Sequence, residues 1–219
     1  MAEVPVIRRF PTVGDVASAA ADYVAEIARR SVADRGACAL AVSGGRTPNL
    51  MFAELAERDL PWADTVFYQV DERIVGADDP ARNLRSLSAA LAARGPRVVA
   101  MEVTDADLAA AARHYGEQLP ARFDLVHLGL GADGHTASLL PGDLVLDDDN
   151  LVAVTLPYQG HARMTLTYRA LARADEILWL VTGSEKRDAL ARLRRGDPTI
   201  PAGRIAPPRA LVMADEAAA

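Results

Sequence analysis

Residues 125–141 read LVHLGLGADGHTASLLP, an apolar run that opens into three glycines with Asp133 and His135 set among them. An imidazole whose ordinary pKa is about 6.5 is largely neutral at pH 7, so it can take a proton, and a nearby carboxylate can orient it. Asp133 and His135 are therefore candidates for a general base and its partner. Leu125 to Leu130 is apolar almost throughout, which predicts a strand covered on both faces; α/β proteins bind ligands at the carboxyl ends of such strands. Gly129, Gly131 and Gly134 would let the backbone approach a small molecule closely. The following HTASLL is expected to begin a helix whose free N–H groups face the same ligand. His114, in a helical pattern, and His127, in the strand, read as structural, while His161 is open.

Three other predicted strand ends carry polar groups. Ala37–Val42 runs into Ser43-Gly44-Gly45-Arg46-Thr47-Pro48, a glycine-rich turn before a helix, which could present successive N–H groups and two hydroxyls to an anion. The same residues also suit a plain strand-to-helix turn capped by Thr47, and they match neither a nucleotide P-loop nor the G-x-S-x-G of an esterase serine. Thr65–Val70 ends in Asp71-Glu72-Arg73, which suits a salt-bridged turn or, beside a sugar phosphate, carboxylates for hydroxyls and a guanidinium fork for an anion. A magnesium site on Asp71 and Glu72 lacks a third ligand signature. Glu176–Val181 leads into Thr182-Gly183-Ser184-Glu185-Lys186. Lys186 is the only lysine among 24 basic residues, and it falls where a helix is expected to start, a position the helix dipole disfavours for a cation unless an anion is near.

These strand ends belong to an alternation of helix-like and strand-like segments along the whole chain. Helices are expected at Val16–Arg30, with Thr12 or Asp15 as cap, and at Thr47–Arg58, Asn83–Ala93, Asp107–Gln118 and Glu185–Arg195. Further strands are expected at Val98–Met101, Leu151–Leu156, Met164–Thr167 and Ala210–Met213. The pattern predicts one α/β domain over residues 1–219, with a largely parallel sheet and helices on both faces. No repeat or flexible linker divides it. Loops rich in turn residues lie at Gly76–Pro80, Pro141–Asn150 and Gly196–Pro208.

The composition is that of an ordinary globular protein, half apolar and one quarter charged, with a net charge of −6. Without a basic stripe, general binding to nucleic acid or to an anionic membrane is not expected, so an anionic substrate would need a local cationic pocket. The absence of a signal-peptide core or a long apolar run makes the cytoplasm the expected compartment. Cys38 is the only cysteine and reads as a small core residue, with no cysteine-based metal cluster possible. GLGADG also fits the dinucleotide fingerprint G-x-G-x-x-G, but the acidic residue expected after the next strand is replaced by the polar run Asp147-Asp148-Asp149.

Taken together, VSGGRTP at 42–48, VDER at 70–73, LGLGADGHTASLLPG at 128–142, RMTLT at 163–167 and VTGSEKRDAL at 181–190 resemble the 6-phosphogluconolactonase family. The resemblance implies a Rossmann-like fold shared with glucosamine-6-phosphate deaminase, and hydrolysis of a sugar-phosphate lactone by a monomer without metal or cofactor. It implies catalytic roles for His135, Asp133 and Arg73, and substrate contacts from Ser43, Gly44, Gly45, Thr47, Asp71, Glu72, Gly131 and Lys186. In the deaminases an Asn-Glu-Pro segment follows the histidine, where this chain has Ser138-Leu139-Leu140-Pro141. A sugar-phosphate-sensing regulator would usually carry a DNA-binding helix pair ahead of the first core strand. RMTLT continues into Tyr168-Arg169, which leaves the roles of Arg163 and Tyr168 open.

Overall fold

The computed structural model describes residues 5–219. The chain begins with β1 (Val6–Phe10) and α1 (Val13–Arg35), then β2 (Cys38–Val42), α2 (Arg46–Ala56), β3 (Thr65–Gln69), the short β4 (Asp71–Arg73) and α3 (Asn83–Leu91). It continues through β5 (Arg97–Val99), α4 (Leu108–Gln118), β6 (Leu125–Gly129), β7 (Val152–Val154), β8 (Arg163–Leu166) and the one-turn α5 (Tyr168–Leu171). The last elements are β9 (Glu176–Val181), α6 (Arg187–Arg194) and β10 (Arg209–Asp215).

Seven strands form one parallel sheet in the order β1-β10-β9-β6-β2-β3-β5. From β2 the chain builds outward through β3 and β5, then returns to place β6 on the opposite flank of β2 and builds outward again. The loops after β2 and β6 consequently diverge, opening the crevice where doubly wound sheets bind ligands. Apolar cores lie on both faces of the sheet. One gathers α1, α2 and α3 around Leu40, Phe52 and Phe67, and the other gathers α4 to α6 around Tyr115, Phe123 and Trp179. Cys38 is buried in the first, its thiol pushed up to about 12 by burial and by the Asp124 charge.

Local rules explain the boundaries. Thr12 caps α1 in a capping box with Asp15, so the helix begins three residues before the expected start, and Gly36, at φ 77°, ends it in the left-handed conformation. Two strands escape the sequence pattern. The edge strand β1, VIRRF, exposes most of its length and buries no continuous apolar face. β4 is the three polar residues Asp71-Glu72-Arg73, and it pairs antiparallel with β8, which pairs antiparallel with β7, making a small second sheet. The expected turn at VDER is thus a strand.

HTASLL does not form a helix. Ala137 takes a left-handed φ of 49°, Leu139 N–H closes a tight turn on the Thr136 carbonyl, and Ser138 N–H donates to Thr165 Oγ1 on β8. A non-glycine residue in that conformation ends helical progression. Within the Gly196–Pro208 loop, a single helical turn at Pro201–Arg204 packs beneath the glycine loop, and Ala202 N–H donates to the Gly134 carbonyl. No helix of the described residues is long and apolar enough to cross a membrane.

Candidate active site

A cavity of about 140 Å³ opens at the crevice between β2 and β6, lined by Ser43, Gly44, Gly45, Asp71, Arg73, Asn83, Gly129, Ala137 and Arg163. Ser43, Gly44, Gly45, Asp71, Arg73 and Gly129, all singled out from sequence, meet here. The floor is set by β4 and β8, whose antiparallel register places Arg73 directly opposite Arg163. Residues in that relation point to the same face, and like charges so placed repel unless something between them is negative.

The two guanidiniums are held differently. Arg73 donates from Nη1 to the Ala81 carbonyl at 2.6 Å and to Asn83 Oδ1 at 3.2 Å, which commits one of its arms. The Arg163 guanidinium makes no hydrogen bond or salt bridge among the described residues, although only 6% of the residue is exposed. Burial pulls its pKa below the ordinary value; Asp71 opposes that pull and Arg73 adds to it. Asp71, on the same floor, is pushed up by burial, against the pull of the Ser138 hydroxyl that donates to it at 2.6 Å. A guanidinium without a hydrogen-bonding or ionic partner, lining a cavity beside a second one on the paired strand, is a candidate anion site.

Glu72 does not line this cavity. It is fully buried, and its carboxylate accepts from the N–H groups of Arg73, Asn83 and Leu84 and from Gln69 Nε2, with Arg82 Nε 3.1 Å away. With its oxygens so engaged it anchors β4 to α3 and is closed to substrate or a metal ion. Strand alternation explains the correction: neighbours on a strand face opposite ways, so Asp71 and Arg73 reach the cavity and Glu72 cannot. Among the described residues, no group of three or more His, Cys, Asp or Glu side chains could hold a metal ion.

The glycine-rich turn after β2 differs from the expected anion cradle in one respect. Ser43 N–H donates to His127 Nδ1 at 3.3 Å and its hydroxyl to the His127 carbonyl at 3.0 Å, so Ser43 is spent on fixing the turn. His127 is indeed structural, kept neutral by burial with its pKa lowered to about 3. The amides at the start of α2, beginning with Arg46 and Thr47, have no intrahelical acceptor and remain available for an anion. Gly44 is required because a Cβ there would overlap Asn83. Thr47 and Thr182 share a hydroxyl hydrogen bond of 2.7 Å, tying this turn to the end of β9. Lys186 follows four residues later, half-buried at the start of α6 as expected, but outside the cavity lining.

His135 and Asp133 also stand outside the lining, at the rim of the loop that follows β6. Asp133 Oδ1 lies 2.6 Å from His135 Nδ1 and accepts the His135 N–H at 3.1 Å. Burial raises the Asp133 pKa, but the backbone N–H and the charge of His135 outweigh it and leave a net lowering. The ionised carboxylate therefore holds the proton on Nδ1 and leaves Nε2 as the basic nitrogen. The pair packs across Gly131, where any Cβ would overlap His135 Nδ1. The Gly131 N–H donates to the His135 carbonyl and the Gly134 N–H to the Gly131 carbonyl, so these two amides hold the loop together and cannot serve a ligand.

Sequence reading missed Asn83, Ala137 and Tyr158. Asn83 accepts from Arg73 and donates to Asp71, and nothing in its helix-start context marks that role. Tyr158 sits between the His135 ring and Arg163. Of the positions left open, Arg163 belongs to the cavity; Tyr168 is structural, its hydroxyl donating to the Pro201 carbonyl and its pKa pushed up to about 12 by burial. His161 closes a turn with Tyr158 and does not line the cavity.

A family described as glucosamine-6-phosphate isomerases/6-phosphogluconolactonase matches residues 11–214. The chain is 37% identical over 193 residues to a 6-phosphogluconolactonase of Mesorhizobium japonicum, covering 82% of this chain and 81% of that protein. It is 33% identical over 197 residues to one of Rhizobium meliloti, covering 84% of each. The crystal structure of 6-phosphogluconolactonase from Thermotoga maritima superposes with a TM-score of 0.88 at 27% identity, over 97% of this chain and 100% of that one. A monomeric glucosamine-6-phosphate deaminase shares the fold, with a TM-score of 0.86 at 18% identity over 97% of this chain and 98% of the other. The chain belongs to the glucosamine-6-phosphate isomerase/6-phosphogluconolactonase family.

Proposed function

We propose that this protein hydrolyses 6-phospho-D-glucono-1,5-lactone to 6-phospho-D-gluconate, the activity its relatives' names describe, and that it does so in the oxidative pentose phosphate pathway. The observation that carries the reading is the Arg73–Arg163 pair on the cavity floor, beside a carboxylate-oriented histidine whose Nε2 is free to act as a base. Together they supply what a phosphorylated lactone requires: cationic groups for its anion and for developing oxyanion charge, and a proton acceptor for water.

In this mechanism water attacks the lactone carbonyl while His135 Nε2 removes its proton, forming a tetrahedral intermediate and an imidazolium stabilised by Asp133. The intermediate collapses by breaking the bond to the ring oxygen, which takes that proton as it leaves. Arg163 and the free arm of Arg73 face the oxyanion and, in the product, the carboxylate that forms from it. Asp71 accepts a hydrogen bond from a sugar hydroxyl. The 6-phosphate lies against the amides at the start of α2, with Gly44 and Gly45 allowing close approach, Thr47 contributing its hydroxyl and Lys186 neutralising charge. No step uses a metal or cofactor, and the protein acts as a cytoplasmic monomer.

Purified protein should speed the loss of freshly generated lactone above its spontaneous rate with a chelator present, and His135→Ala should lower kcat by about 10²–10⁴-fold. Loss of activity on chelation, restored by a divalent ion, would overturn the metal-free mechanism, and an unchanged kcat would remove His135 from it. Gly131→Ala should displace the Asp133–His135 pair and cost about 10²-fold in kcat with little change in product affinity; wild-type kinetics would contradict the packing argument. Lys186→Ala should weaken 6-phosphogluconate binding by roughly 1.5–3 kcal/mol and leave turnover of unphosphorylated gluconolactone nearly unchanged. Equal losses on both substrates would move Lys186 away from the phosphate.

A further inference from the structure

The loop between β7 and β8 narrows to a tight turn at Tyr158-Gln159-Gly160-His161. Tyr158 and His161 exchange both backbone hydrogen bonds, at 2.9 and 3.2 Å, and Gln159 and Gly160 take left-handed φ values of 51° and 87°. Two successive left-handed residues give the turn whose twist matches that of the paired strands, and glutamine adopts that conformation uncommonly. The turn fixes Tyr158 between two groups of the site. On one side is the His135 imidazole, with ring centroids 5.6 Å apart and planes at 66°. On the other, the Arg163 guanidinium carbon lies 5.1 Å from the centre of the same tyrosine ring. Both distances fall in the range of attractive ring contacts.

Each neighbour needs that support. Asp133 grips the imidazole through one nitrogen, and a single hydrogen bond leaves the ring free to swing about it. The Arg163 guanidinium has no hydrogen-bonding or ionic partner among the described residues, so the tyrosine face is its main direct restraint. We infer that Tyr158 is a positioning residue shared by the base and the anion-binding guanidinium, setting the separation between the nitrogen that deprotonates water and the charge that meets the oxyanion. This rests on the reading of His135 as the base. The phenol oxygen makes no hydrogen bond among the described residues, so the aromatic ring carries the function.

The test is a double-mutant cycle on lactone hydrolysis. Tyr158→Ala should lower kcat by about 10- to 100-fold, the scale of a small misplacement of reacting groups, and raise KM several-fold through the loosened Arg163. Tyr158→Phe should restore both constants. In a His135→Ala background, Tyr158→Ala should cost clearly less in kcat than it does alone, because the share that acts through the imidazole is already lost and only the share that acts through Arg163 at the oxyanion remains, while its effect on KM should persist. If Tyr158→Ala does not fold cooperatively, Tyr158→Leu, which fills the space without a π face, carries the same expectation. A kcat loss that persists undiminished in the His135→Ala background, or failure of phenylalanine to rescue, would overturn the role of Tyr158 while leaving His135 as the base. An unchanged kcat in His135→Ala alone would overturn both readings, and the single variant separates that failure from the first.

Discussion

Arg73 and Arg163 are paired in register across β4 and β8 and line one cavity, and the rest of the site is arranged around keeping them there. The arrangement carries a cost in the free protein: Arg163 makes no hydrogen bond or salt bridge among the described residues and is opposed by Arg73, with the Asp71 carboxylate offsetting that repulsion. A three-residue strand cannot hold it alone. The buried Glu72 carboxylate does so from the reverse face, accepting three backbone amides and pairing with Arg82, so that β4 is bolted to the start of α3. Breaking such a buried pair typically costs about 3–5 kcal/mol, which gives the scale of the restraint. Asn83, the first residue of that helix, then bridges Arg73 and Asp71 and fills the space that Gly44 leaves.

The chemistry is divided between elements that the sheet brings together from opposite sides of its reversal. β2 and α2 contribute free amides at a helix start, β4 and β8 the cationic floor, and the loop after β6 the histidine and its carboxylate. A chain with a net charge of −6 thereby places two guanidiniums in one small cavity, where a reaction that develops negative charge needs them and the surface as a whole does not provide them. The glycine loop gives little to the ligand directly. Its amides at 131 and 134 are internal, and its glycines serve close packing: Gly131 beneath the dyad and Gly134 against Ile200.

Much of this was legible in the residues. The alternation of apolar strands and amphipathic helices gives the parallel sheet, because strands covered on both faces need nearly continuous apolar runs, as β6 and β9 have. Asp133, His135, Asp71 and Arg73 stand out as polar groups at strand ends. The second sheet was not legible, since β4 is three charged residues whose strand character comes only from pairing with β8, a partner distant in sequence. For the same reason Glu72 was indistinguishable from Asp71, and the helix expected at HTASLL gave way to hydrogen bonds with β8 that no local pattern announces. Tyr158 depends on a turn with a left-handed glutamine, which residue preference argues against.

The central claim is that the fold holds Arg73 and Arg163 in opposition for the sake of a bound anion. It is tested most directly by thermal unfolding of the Arg163→Gln variant with and without 6-phosphogluconate. Removing Arg163 relieves the repulsion from Arg73 but also removes the attraction of Asp71, so the free variant should melt near the wild-type midpoint, while the rise in midpoint on adding ligand should shrink by the share that Arg163 contributes beside Lys186 and the α2 amides. A free variant that melts well below the wild type yet keeps the full ligand-induced rise would show that Arg163 stabilises the fold and does not hold the anion.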